Sequence, residues 1–148
     1  MNDLEKIQEG DIVFARNYGV LGWLIRKITN SKYNHCCLYI GKGHLLDTDF
    51  FGVRYRAVMA YKNIPYKICR VKRATKKQIK EVCQHARKIN NSKYSIRRLF
   101  RLNDDLNNFT CSSMVNECYK IAGVVLSKRG AMCSPANIEK SKRVIKRK

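Results

Sequence analysis

The chain is predicted to be an α+β protein on three observations: short β-branched and aromatic runs, two longer runs with apolar residues at helical spacing, and a glycine-flanked turn that joins two apolar runs into a hairpin. In order, Asp11-Ile12-Val13-Phe14-Ala15 follows Gly10 and has the composition of a first strand. Val20, Leu21, Leu24, Ile25 and Ile28 recur at helical spacing, so a short helix comes next. Cys36 to Ile40 and His44 to Asp47, joined by Gly41-Lys42-Gly43, read as a β-hairpin. Val53 to Val58, interrupted by Arg54 and Arg56, and Tyr66 to Lys72 alternate as half-exposed strands do. Thr75-Lys76-Lys77-Gln78 has the form of a capping box, and Ile79, Val82, Cys83, Ala86 and Ile89 give the helix it opens one buried stripe and a basic outer face. Asn90 to Asn108 is polar and irregular, with Tyr94, Leu99 and Phe100 as expected anchors. Cys111, Met114, Val115, Cys118, Tyr119 and Ala122 set out a second stripe, closed by Gly123 at the position of a helix C-cap. No linker divides the chain, so residues 1–139 are expected to form a single domain and residues 140–148 a basic C-terminal tail.

Composition narrows the function. The 148 residues suffice for one hydrophobic core, and one Trp, eight Tyr and five Phe argue against disorder. The eight Gly and two Pro carry no period, which excludes collagenous and repeat architectures. With 31 Lys+Arg against 11 Asp+Glu the formal charge is +20, which favours an anionic partner, either nucleic acid or an acidic membrane surface. No apolar run approaches the ~18 residues of a membrane span, and the first ten residues lack the regions of a signal peptide; the expectation is an intracellular, cytoplasmic protein. Seven cysteines, none in Cys-x-x-Cys spacing, point to reduced thiols rather than a disulfide framework or a zinc site. A phosphate-binding glycine loop, zinc-finger spacing and an RNA-recognition aromatic run are all missing, so neither a cofactor nor sequence-specific nucleic-acid recognition is expected.

Cys111 stands in the first turn of its helix, where unpaired backbone N–H groups and the positive end of the helix dipole stabilise a thiolate. Cys118 and Cys83 read instead as small core hydrophobes, the commoner use of cysteine. A cysteine nucleophile needs a base, and the histidines are His35, His44 and His85. His85 is simplest as a partly exposed helix residue. If Gly41-Lys42-Gly43 is a three-residue turn, Ile40 pairs with His44 and Cys37 with Asp47, so that His35 and Asp47 are diagonal neighbours on one face. Asp49, opposite His35, competes for it, and a two-residue turn would move Asp47 to the other face. In the first register Asp47 can hold one imidazole nitrogen of His35 and leave the other for the Cys111 thiol. A metal site from His35-Cys36-Cys37 is disfavoured, because adjacent strand residues point to opposite faces.

The ordered set Gly10-Asp11-Ile12-Val13-Phe14, Asn34-His35-Cys36-Cys37-Leu38-Tyr39-Ile40-Gly41-Lys42-Gly43 and Phe109-Thr110-Cys111-Ser112-Ser113-Met114-Val115 resembles the circularly permuted branch of the NlpC-like, papain-like cysteine hydrolases. That branch includes YiiX-like bacterial and poxvirus proteins and the lecithin:retinol acyltransferase-like enzymes. Gly52-Val53, Cys69-Arg70, Tyr94 and Ser134-Pro135 fall in the expected order, so the likeness spans most of residues 10–140. It implies a small antiparallel sheet or half-barrel packed on the cysteine helix, with His35 ahead of Cys111 in reversed order relative to papain. Asp47 stands where several relatives have Glu or His, and Ser113 where bacterial members often carry Glu.

The activity this implies is that of a cysteine amidase, peptidase, esterase or acyltransferase acting on an amide or ester. The Cys111 thiolate would form a thioester acyl-enzyme, His35 would carry the proton, Asp47 would orient His35, and Tyr94 and Ser112 would contact substrate. Residues 140–148 with Lys72-Arg73 and Lys76-Lys77 are expected to meet an anionic membrane or nucleic acid. The rival reading is a basic, non-catalytic nucleic-acid- or virion-associated protein on the same scaffold; a Lys- and Asn-rich composition fits a viral or intracellular-parasite source.

Overall fold

A computed structural model describes residues 3–17, 19–49, 51–94 and 108–147. Strands β1 (Ile12–Ala15), β2 (His35–Tyr39), β3 (His44–Asp49), β4 (Gly52–Ala57), β5 (Tyr66–Val71) and β8 (Val144–Lys146) form one antiparallel sheet in the order β4-β3-β2-β1-β5-β8. The helices are α1 (Val20–Thr29), α2 (Lys76–Lys88), α3 (Cys111–Ile121) and α4 (Pro135–Glu139). A small parallel pair joins β6 (Lys93–Tyr94) to β7 (Asn108–Phe109), just ahead of α3. The expected anchors Leu99 and Phe100 lie outside the described residues. This is the α+β architecture anticipated from the sequence, with an antiparallel sheet packed on the cysteine helix.

The hairpin sets the register of the whole sheet. Leu38 pairs with Leu46 and Tyr39 with Leu45, and the Ile40 N–H donates to the His44 carbonyl at 3.0 Å. Gly41, Lys42 and Gly43 all carry positive φ (90°, 53° and 75°), a run that glycine at both ends makes affordable. The turn therefore has three residues, and His35 and Asp47 share a face.

Strand alternation divides the core in two. One face, with Phe14, Cys36, Leu38, Leu46 and Cys69, packs on Val82, Cys83 and Ala86 of α2 and on Met114, Val115, Cys118 and Tyr119 of α3. The opposite face, with Val13, Cys37, Leu45 and Ile68, is covered by Leu4, Ile7, Val58 and Tyr61. Each fully buried aliphatic side chain here contributes about 1.5–3 kcal/mol, so the sheet is anchored from both sides. Both long helices begin on reciprocal capping boxes, Thr75 with Gln78 and Thr110 with Ser113. Ser113 thereby closes the helix end that carries Cys111.

Within the stretch read as a basic tail, Val144–Lys146 forms an edge strand on β5. Val144 is buried in the core, which accounts for the docking; the basic residues around it outweigh two apolar ones in a composition reading and so hide the strand.

Candidate active site

His35, the first residue of β2, lies at one end of the sheet, and α3 begins at that same end with Cys111. The His35 ring is buried, and its Nε2 lies 2.5 Å from Oδ1 of Asp47. That bond occupies one ring nitrogen and leaves Nδ1 for the Cys111 thiol, which lies in the electrostatic reach of His35 and of the neighbouring Cys36 thiol. Asp49, the competing carboxylate, turns to Arg56 at 3.3 Å and Arg54 at 3.7 Å instead. His44 sits exposed against the Tyr55 ring, and His85 lies on α2.

Asp47 is a hub. Its carboxylate accepts from Arg56 Nε at 2.7 Å, Tyr61 Oη at 2.8 Å and its neighbour's backbone, Thr48 N–H, at 2.7 Å. The Cys37 Sγ lies 3.1 Å from Tyr61 Oη and 3.4 Å from Asp47 Oδ1. The Tyr61 ring runs parallel to that of His35, with centroids 6.4 Å apart. Tyr61 and Arg56 were not among the residues singled out from the sequence. Arg56 had a signal: in the β3–β4 register Asp47 pairs with Arg54, so Arg56 is a diagonal neighbour on the same face. Tyr61 had none, because it reaches the site from a 3-10 turn after β4.

The electrostatics follow from these contacts. Burial opposes the charge on Asp47, but His35, Tyr61 and Arg56 overcome it and hold the carboxyl well below the usual range. Burial, helped by the Asp47 carboxylate, pushes the Cys37 thiol up to about 12, so it stays a neutral donor. Burial also disfavours an imidazolium at His35, yet the Asp47 carboxylate, by charge and hydrogen bond, and the Cys111 sulfur raise its pKa well above 6.5. The Cys111 thiol is drawn well below its ordinary 9.0 by the Cys36 hydrogen bond first, against its own burial, and then by His35. Cys36, buried and beside that sulfur, is pushed up and keeps its proton. The arrangement supports a thiolate–imidazolium pair at neutral pH, with a buried carboxylate behind the imidazole.

Of the residues expected to contact substrate, Ser112 is buried and its hydroxyl donates to the Cys133 carbonyl at 2.6 Å, which ties α3 to the segment ahead of α4. Tyr94 lies in β6, which runs beside β7 directly ahead of the Cys111 helix. His35, Cys37 and Asp47 form a group whose ligand atoms lie within 4.8 Å of one another. The convergent pair is His35 and Cys37, two residues apart on one strand face, rather than the adjacent residues considered from the sequence.

A cysteine at the start of a helix, packed on an antiparallel sheet whose preceding strand carries histidine, defines the class of papain-like cysteine hydrolases in permuted chain order. Residues 6–143 match the family model described as permuted papain-like amidase enzyme, YaeF/YiiX, C92 family. The chain belongs to that family. The fold is also that of a solved structure titled metalloprotein yiiX from Escherichia coli O157:H7, with a TM-score of 0.77 at 16% identity, covering 95% of this chain and 96% of that one. No curated protein matches the chain.

Proposed function

We propose that the protein is a cysteine-dependent amidase or peptidase that works through a thioester on Cys111. The observation that carries this reading is the His35 ring held between Asp47, 2.5 Å from Nε2, and the Cys111 thiol. The Cys111 thiolate attacks the substrate carbonyl, and the C–N or C–O bond breaks as the imidazolium of His35 protonates the leaving group. Water, activated by the neutral imidazole, then cleaves the thioester and regenerates the pair. An amine or alcohol in place of water gives an acyltransferase from the same intermediate. Asp47 keeps the ring oriented and the imidazolium stabilised, and Tyr61 and Arg56 position Asp47. The Cys111 backbone N–H, at the helix start, is a candidate donor to the oxyanion. Tyr94 is retained as a substrate contact.

The yiiX structure is described as a metalloprotein, so the fit of a metal to His35, Cys37 and Asp47 bears on the mechanism. The donors do not suit one. Asp47 is bonded to His35, Arg56 and Tyr61, and Cys37, which would have to ligate as a thiolate, is held protonated by burial. No step is routed through a metal.

The test maps iodoacetamide alkylation of each cysteine by mass spectrometry across pH, in the folded protein and in His35→Ala. Cys111 reacting fastest below neutral pH, and slowing at least tenfold without His35, supports the pair. Cys111 reacting no faster than Cys69 sinks it and leaves the basic-surface binding reading standing.

A further inference from the structure

The sheet has two unlike ends. Lys72 and Arg73, just after β5, and Lys76 and Lys77, which open α2, are the basic residues expected to meet a membrane or nucleic acid and lie at the end away from His35. At the His35 end sit α1, which follows β1, and the β3–β4 turn. The outer face of α1 is not polar: Trp23, Leu24 and Ile28 are exposed, Trp23 by 51%, and Lys27 lies 4.9 Å over the Trp23 ring. In the β3–β4 turn Phe51 is 84% exposed, with the Arg54 guanidinium 5.3 Å from its ring. The strand ends that lead to these two features, β1 and β3, are on the order of 10 Å apart, two strand spacings.

α1 is also fixed to the site. The Asn34 side chain, next to His35, accepts from Asn17 N–H and donates to the Asn17 carbonyl, which also accepts from Arg26 of α1. A Cβ on Gly22 would stand 2.2 Å from Asn34 Nδ2, so the helix lies directly on that residue.

We propose that this end of the molecule docks on an anionic lipid bilayer, with Trp23, Leu24, Ile28 and Phe51 entering the interface and Lys27 and Arg54 meeting headgroups. Exposed aromatic rings capped by cations, beside aliphatic side chains on a helix with no acidic residue, are the composition of an interfacial helix. The +20 charge supplies the attraction to an acidic surface. Nucleic acid would use the cations but gain nothing from Leu24 and Ile28. Docking is distinct from the hydrolase reading, and orients Cys111 and His35 towards the membrane.

Trp23 is the single tryptophan, so its emission reports on this surface directly. The experiment adds vesicles of phosphatidylcholine with 30% phosphatidylserine, using the whole protein and Cys111→Ala. The expected result is co-sedimentation, a blue shift of Trp23 emission and quenching by brominated lipid. Ile28→Ser with Phe51→Ser, both exposed and outside the core, weakens binding about tenfold. Lys76→Glu with Lys77→Glu, at the other end, keeps the shift. Co-sedimentation with Trp23 left in water, a shift produced by DNA but not vesicles, or no response would each overturn docking. If docking fails while Cys111 still alkylates fast, only docking falls; if docking holds and Cys111 is slow, only the hydrolase reading does.

Discussion

Two aspartates in this sheet are equally hidden and differently employed. Asp11, just before β1, is 1% exposed and Asp47, in β3, is 2% exposed. Each accepts from arginine: Asp11 from Arg70 Nε at 2.8 Å and Nη2 at 2.9 Å, Asp47 from Arg56 Nε at 2.7 Å; Arg147 adds only an ion pair to Asp11, at 3.6 Å. The other partners differ. Asp11 adds the Gln8 backbone N–H, whereas Asp47 adds an imidazole and a phenol. Guanidinium groups do not exchange their charge near neutral pH, so Asp11 clamps the chain: β5 and the segment after β8 are tied to the start of β1. Asp47 holds a group that can gain or lose a proton, and through it reaches a thiol. Burial and an arginine partner are common to both; the identity of the third partner separates a structural carboxylate from one suited to chemistry.

Substitution sharpens that contrast. The largest expected effect is Asp47→Asn, which removes the charge behind His35 and lowers Cys111 alkylation at pH 6 by about tenfold as the thiolate population falls. Asp11→Ala should do the reverse, lowering stability by about 2 kcal/mol in urea unfolding with Cys111 alkylation unchanged. That figure is below the usual loss on breaking a buried pair because Arg70 is partly exposed. A comparable fall in alkylation for Asp11→Ala would break the comparison.

The pH dependence of stability should divide the two sites as well. His35, raised when folded, stabilises fully below about 6.5 and loses that contribution as pH climbs through its folded value. Asp47, lowered when folded, stabilises above about 3.9 and loses that contribution as pH falls through its folded value. Asp47→Asn should therefore flatten both limbs of the stability profile, the acid one because its own titration is gone and the alkaline one because His35 loses the partner that raises it. The smallest effect is expected for Tyr61→Phe, which removes one of several donors to Asp47 and slows Cys111 alkylation about threefold.

The sheet was legible through its hairpin. Gly41-Lys42-Gly43 marks the turn but leaves its length open between two and three residues; once the Leu38–Leu46 pairing fixes three, the register makes His35 and Asp47 neighbours. The helix that carries Cys111 was legible through its spacing and Gly123, whereas its Thr110 cap came only with the structure. Illegible were contacts made across the fold: Tyr61 arriving from a 3-10 turn, and Cys36 touching Cys111 from the strand face opposite to that of Cys37. Such contacts depend on how layers stack, which one-dimensional patterning does not encode. Val144–Lys146 was hidden for another reason, since three residues are too few for alternation to rise above a lysine-rich background.

That last strand also governs how the molecule meets copies of itself. The outer rim of β5 is closed by β8, and the pairing runs on through Lys72 N–H to the Arg143 carbonyl and Arg147 N–H to the Ile68 carbonyl. Lys146, exposed on that strand, then presents a charge where another chain would have to add a strand. A chain cut after Arg143 would retain most of its core but uncover that row of backbone donors and acceptors. Its defect would be self-association through the open rim, arising before any loss of the interior.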